Sequence, residues 1–148
     1  MKSARASGCK SGGKATAMHR LIRLVARLRS PRGCPWDRKQ THLTLIRFLN
    51  EETRELAAAL RRGRWHEIED ELGDVLLQVL LHAQIASEKG LFNIEDVARS
   101  QHRKLVRRHP HVFGRRRLES AAAVLANWRE IKRSERGQRR RDIQQRRG

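Results

Sequence analysis

The chain has 148 residues, enough for one domain with a real core, and its 38% hydrophobic content places it among globular rather than disordered chains. No apolar run of about 18 residues occurs, so a membrane-spanning helix is not expected. The net charge of +18 gathers at the ends, with four basic and no acidic groups in residues 1–17 and twelve basic and four acidic in residues 115–148. Such ends attract polyanions without specificity, which is weak support for a nucleic-acid role because no aromatic residue interleaves the Arg run after Trp128.

Residues 1–17 read as a flexible basic tail. No apolar stretch precedes Met18, so a secretory signal is not expected, although the acid-free, Ser-bearing composition would also suit a transit peptide. Cys9 falls in this tail and Cys34 in a Pro-containing segment, which gives no disulfide framework and favours a reducing, cytoplasmic setting.

Met18, Leu21, Ile22, Val25 and Leu28 recur at helical spacing, and Ser30-Pro31 with Gly33 ends that first helix. A loop is expected over residues 32–37, because Pro35 disfavours helix. The second helix is expected from about Thr41 to Arg62, with the stripe Leu45, Ile46, Leu49, Leu56 and Leu60 and a stop at Gly63.

The third is expected from Trp65 to Lys89, ending at Gly90. Ile68, Leu72, Val75, Leu76, Val79, Leu80 and Ala83 make its main face. Leu77, Leu81 and Ile85 cover the opposite one. A helix apolar nearly all round is hard to bury in one small bundle, so a homodimer or higher homo-oligomer is expected. Asn93 with Asp96 marks the start of a fourth helix carrying Ile94, Val97 and Leu105, which stops before Pro110. Ser120 opens a fifth, with Val124, Leu125, Trp128 and Ile131 on one side. No strand-period run competes, and the short loops predict an all-α, antiparallel helical bundle. The expected organisation is a tail to residue 17, one all-α domain over 18–136 and an Arg-rich tail over 137–148.

Two helices carry acids at a matching interval. Glu52 and Glu55 are three apart on the second helix, and Glu71 and Asp74 are three apart on the third, so each pair shares a face beside the apolar stripe. Antiparallel packing through those stripes would bring four carboxylates together. Two like charges ~4 Å apart repel by about 4 kcal/mol at an effective dielectric of 20, so four need a cation. Oxygen ligands without Cys or His suit magnesium or manganese rather than zinc, and either two ions or one ion with a free carboxylate base fits the count. The bland alternative leaves these acids solvated or pairs them with Arg54, Arg61, Arg62 or Arg64. Gly73, inside a helix at a propensity cost, hints at close approach by a backbone or a ligand. His42, His109 and His111 have no metal-ligand spacing with a Cys. His82 reads as a satisfied interior histidine, and Cys34 and Trp36 read as loop packing.

The pattern Glu51-Glu52-x-x-Glu55, fifteen residues, Glu71-x-x-Asp74 resembles that of the MazG family of nucleoside triphosphate pyrophosphohydrolases, all-α proteins. Cys34-Pro35-Trp36-Asp37, Gln40-Thr41-His42, the run from Glu71 to Val79, the run from Lys104 to Phe113 and Trp128-x-x-Ile131-Lys132 extend the resemblance over about Leu21 to Arg136. Many relatives carry two tandem copies, and this single copy resembles the first. The resemblance implies magnesium-dependent hydrolysis of NTPs and dNTPs to nucleoside monophosphate and pyrophosphate, with manganese as a substitute ion and nucleotide-pool sanitation as the role. It implies Glu52, Glu55, Glu71 and Asp74 as metal ligands, and Glu51, Glu52 and Glu55 as catalytic acids. Lys104, Arg108 and Lys132 would hold phosphates, and Trp128 would line the nucleotide site. Lys104 and Arg108 are four apart, as are Trp128 and Lys132, so each pair also shares a helix face by spacing alone. The competing expectation is a catalytically weak or inactive helical dimer that binds nucleotides or nucleic acid through its basic tails.

Overall fold

The structure is a computed structural model that describes residues 15–145, with side chains described as far as Gly137. The expected basic tail therefore lies outside the described residues up to residue 14, and the side chains of the expected Arg-rich tail lie outside them from residue 138. Every regular element among the described residues is an α-helix, as the periodicity predicts. Two compact units form, Met1–Asn93 and Ile94–Gly148.

In the first unit, α1 (Ala17–Leu28) is opened by Thr16, whose hydroxyl accepts from the His19 N–H at 3.2 Å. The segment expected as a loop instead winds into a short α2 (Pro35–Lys39). Pro35 occupies the first turn, where its missing N–H costs nothing and its fixed φ already suits a helix. The next helix, α3 (Ile46–Arg62), starts later than expected. The Thr41 N–H donates to Thr44 Oγ1 at 2.9 Å and the Thr44 N–H to Thr41 Oγ1 at 3.2 Å, so hydroxyls take the place of helical carbonyls over that stretch. Gly63, at φ 70°, turns the chain back into α4 (Trp65–Glu88), and α3 and α4 pack as a hairpin with α1 against α4.

Val25, Leu45, Ala59, Ile68, Leu80, Leu81, Ala83, Ile85 and Ala86 form the core of this unit. The α3 stripe is shifted from the expected one. Leu45, Leu49, Leu56 and Ala59 face inward while Ile46 and Leu60 are exposed, so Glu52 falls within the packed line rather than beside it. On α4 the corresponding line is Ile68, Glu71, Val75, Gln78, His82 and Ile85. The inner face of the hairpin is therefore apolar with polar insertions at defined turns.

Arg29 ties the unit's ends together. Its Nε and Nη2 donate to Glu88 at 2.9 and 2.8 Å, and its Nη1 donates to the carbonyls of Asp37 and Gln40. That side chain is only 6% exposed, and its one cation holds the end of α1, the C-terminal part of α2 and the end of α4.

In the second unit, α5 (Ile94–Arg108) is followed by α6 (Pro110–Phe113), a single turn not anticipated from the sequence. Its origin is again a proline at the first helical position. The last helix, α7 (Ala121–Gln145), is opened by Ser120, whose Oγ accepts from the Ala123 N–H at 3.1 Å. It continues well beyond residue 136.

Candidate functional site

The α3–α4 hairpin brings three of the four expected acids together. One carboxylate oxygen from each of Glu52, Glu55 and Glu71 lies within 4.8 Å of the others. Glu52 and Glu71 are half-buried because they sit on the packed lines of their helices, whereas Glu55 is exposed. Asp74 is exposed and is not one of the three acids within that distance of one another. Its charge still reaches the group. Desolvation, then Asp74, then Glu55, Glu51 and Glu71 raise the Glu52 pKa above its ordinary value. Glu71 is raised by desolvation first, then by Glu55 and Asp74, with Arg62 acting in the opposite sense.

Among the described residues no arginine forms an ion pair with these acids. Arg62 and Arg64 both donate to Glu67, at 2.6 and 2.7 Å, and the Arg54 Nε donates to the Asn50 carbonyl. Among the described residues Arg62 and Arg64 pair with Glu67, one turn before Glu71, rather than with a motif acid. Glu71 Oε2 is sealed from solvent with no hydrogen-bond partner. A buried carboxylate oxygen without a donor is costly unless a cation faces it. Three oxygen donors, raised pKa values and that orphaned atom together fit a hard divalent ion.

Gly73 has open space around it. A Cβ built there meets nothing within 4 Å, so the hint of a close backbone approach does not hold and the side toward a ligand stays open. His82 is half-satisfied rather than satisfied. Its Nδ1 lies 2.8 Å from His42 Nδ1 in a parallel ring stack, while its Nε2 is buried without a partner. Burial and the neighbouring His42 lower its pKa. Trp36 lies on α2 rather than in a loop and is 49% exposed, with its ring edge-on to Phe48 at 5.4 Å.

In the second unit α5 and α7 carry the expected cations. Lys104, Arg108, Lys132, Glu135 and Arg136 line a cavity of about 120 Å³. Trp128 is half-buried beside it, with the Lys132 Nζ 4.9 Å and the Arg108 guanidinium 5.6 Å from its ring. The indole therefore serves two cations at once, and its Nε1 is buried without a partner.

Glu135 was not anticipated from the sequence. Arg108 donates to it from Nη2 at 2.6 Å, and Arg107 donates from Nε at 2.9 Å. The Arg108 hydrogen bond, offset by burial and reinforced by Arg107, lowers its pKa to about 2. The available signal was an acid three residues beyond Lys132, standing in a run of arginines.

Residues 40–113 match the family described as the MazG nucleotide pyrophosphohydrolase domain. Over 117 residues the chain is 50% identical to the nucleoside triphosphate pyrophosphohydrolase/pyrophosphatase MazG of Thermotoga maritima, covering 79% of this chain and 44% of that protein. It is 44% identical over 120 residues to the nucleoside triphosphate pyrophosphohydrolase of Escherichia coli K12, covering 80% and 46%. It is also 49% identical over 112 residues to the uncharacterized protein YabN of Bacillus subtilis, covering 76% and 23%. The chain thus spans less than half the length of these curated relatives. Among solved structures, the mazG-related protein from Thermotoga maritima superposes with a TM-score of 0.63 at 30% identity, covering 77% of this chain and 97% of that one.

Proposed function

The chain belongs to the MazG nucleotide pyrophosphohydrolase domain family, and from that premise we propose that it hydrolyses NTPs and dNTPs to nucleoside monophosphate and pyrophosphate. Magnesium is the proposed ion, with manganese as a substitute, and nucleotide-pool sanitation in the cytoplasm is the proposed role. The observation that carries this reading is the triad of Glu52, Glu55 and Glu71, with its unpartnered oxygen on Glu71.

In this reading Glu52, Glu55 and Glu71 hold the cation, and Asp74 completes the set. The bound ion would supply charge neutralisation at the phosphates and a more acidic water. Glu51, next to Glu52 in the sequence and exposed, is the proposed outer acid or base that would take a proton from that water. Lys104, Arg108 and Lys132 would take the negative charge of the departing pyrophosphate. Arg108 suits that task because Glu135 holds one edge of its guanidinium and leaves other donors free for phosphate oxygens. Trp128 limits the freedom of Arg108 and Lys132 by presenting its ring to both, beyond any contact with the base. No covalent nucleophile is required.

A homodimer is part of the proposal. Leu72 and Val79, seven apart on α4, are 52% and 39% exposed, and a second copy would cover them.

The test is product identity across a panel of NTPs and dNTPs with magnesium. The reading expects monophosphate and pyrophosphate in equal amounts. Diphosphate with orthophosphate would place the cut at the wrong anhydride and refute it.

A further inference from the structure

Arg129, Lys132, Arg133 and Arg136 stand at intervals of three, four and seven on α7, so they form one row along a single helix face. They line a cavity of about 470 Å³, larger than the one shared by Lys104 and Arg108. Arg129, Arg133 and Arg136 are exposed, and none of the three makes an ion pair among the described residues. The acids within reach do not relieve them. Glu135 is committed to Arg107 and Arg108, and Glu130, three before Arg133, forms no ion pair with it. Like charges three and four apart destabilise a helix, so the row carries a cost that an external polyanion would offset.

We propose that this face of α7 binds the phosphodiester backbone of a nucleic acid. The row extends about 10 Å along the helix, at 1.5 Å per residue. A strand presents one phosphate about every 3.4 Å of its axis, so the row opposes about three successive phosphates. A single triphosphate concentrates its charge at one point, which matches the smaller cavity of Lys104, Arg108 and Lys132 better than an extended line. No aromatic residue lies between Arg129 and Arg136, so bases are not stacked on this surface and the contact is independent of sequence. The sequence of α7 continues with Arg139, Arg140 and Arg141, which keeps the same sign of charge along the helix. The row shares Lys132 with the hydrolase reading, whereas Arg129 and Arg133, the residues that the test alters, have no part in that reaction.

The experiment compares the full chain with Arg129→Ala/Arg133→Ala, leaving Lys132 and Arg136 intact because they line the cavity proposed for phosphate. A fluorescein-labelled single strand of about 30 nucleotides is titrated by anisotropy from ~50 to ~300 mM salt. Each phosphate contact contributes about −0.7 to the slope of log affinity against log salt, so the variant should lose about 1.4 units of slope. Arg129→Lys/Arg133→Lys should restore it, because phosphate steering needs only the charges. Pyrophosphate release from NTP should be unchanged in both variants. Failure of the parent chain to bind the strand at ~50 mM salt would overturn the proposal, and so would an unchanged slope in the alanine variant. A parallel loss of hydrolysis would assign the row to the nucleotide instead, and a variant whose only loss is binding to anionic lipid vesicles would assign it to a membrane surface.

Discussion

Arg108 donates from Nη2 to Glu135 at 2.6 Å, joining α5 to α7 within the second unit. Both side chains are largely buried, at 12% and 17% exposure, and Arg107 donates to the same carboxylate from the rim. A cation proposed to bind phosphate is thus held at one edge by an acid of its own unit.

The Glu135 pKa, lowered to about 2 from 4.5, gives a pH dependence of stability. A depressed carboxylate pKa contributes stability that is fully present above 4.5 and is lost as pH falls toward 2. Thermal midpoints of the parent chain should therefore fall through that window more steeply than those of Glu135→Gln. Near neutral pH the variant should be less stable by about 1–2 kcal/mol, reduced from the full charged hydrogen-bond value because Arg107 is exposed. Parallel acid limbs in the two proteins would remove the clamp.

Glu52→Gln should have opposite effects on stability with and without ion. The Glu52 pKa is raised by desolvation and by Asp74, so ionising it costs the metal-free fold, and stability declines as pH rises above the ordinary carboxylate value. In EDTA at neutral pH the variant should melt about 1–3 °C higher than the parent. Magnesium should raise the parent's midpoint by mass action and leave the variant's nearly unmoved. Equal magnesium shifts would mean that Glu52 is not a ligand.

Replacing Arg29 should weaken the first unit more than any exposed arginine would. Its side chain is 6% exposed and serves Glu88, Asp37 and Gln40 together, and it lowers the Glu88 pKa. Arg29→Ala should cost about 2–4 kcal/mol by denaturant melting, since one carboxylate and two carbonyls lose their donor. Arg29→Lys should recover only part of this, lacking the planar fork.

Gly73→Ala separates stability from chemistry. The added methyl meets nothing within 4 Å, so the gain in helix propensity of about 1 kcal/mol should appear as a higher denaturant midpoint. Pyrophosphate release should nevertheless fall, on the order of tenfold, if the open side of Glu71-Leu72-Gly73-Asp74 is where substrate is positioned. Full activity in the stabilised variant would place the substrate elsewhere.

The hairpin and its acids were legible because both signals are local. Acids three apart on one helix share a face whatever the packing, and Gly63 marks the reversal. The exact phase of each helix was not legible. Leu45 to Ala59 reads equally well through Ile46 and Leu60, and only packing shows that Glu52 lies on the inner line while Asp74 lies outside the triad. The late start of α3 was hidden because Thr41 and Thr44 satisfy each other's N–H groups, which no hydrophobic pattern records. Glu135 was missed because its partners, Arg107 and Arg108, lie on a different helix 28 and 27 residues earlier.

The most direct measurement is pyrophosphate release from NTP by the full chain and by Glu52→Gln, each in magnesium and then in EDTA. The account predicts release only from the parent with magnesium, and none above background in the other three conditions. Release that persists in EDTA, or in Glu52→Gln with magnesium, would contradict the carboxylate triad as the catalytic centre.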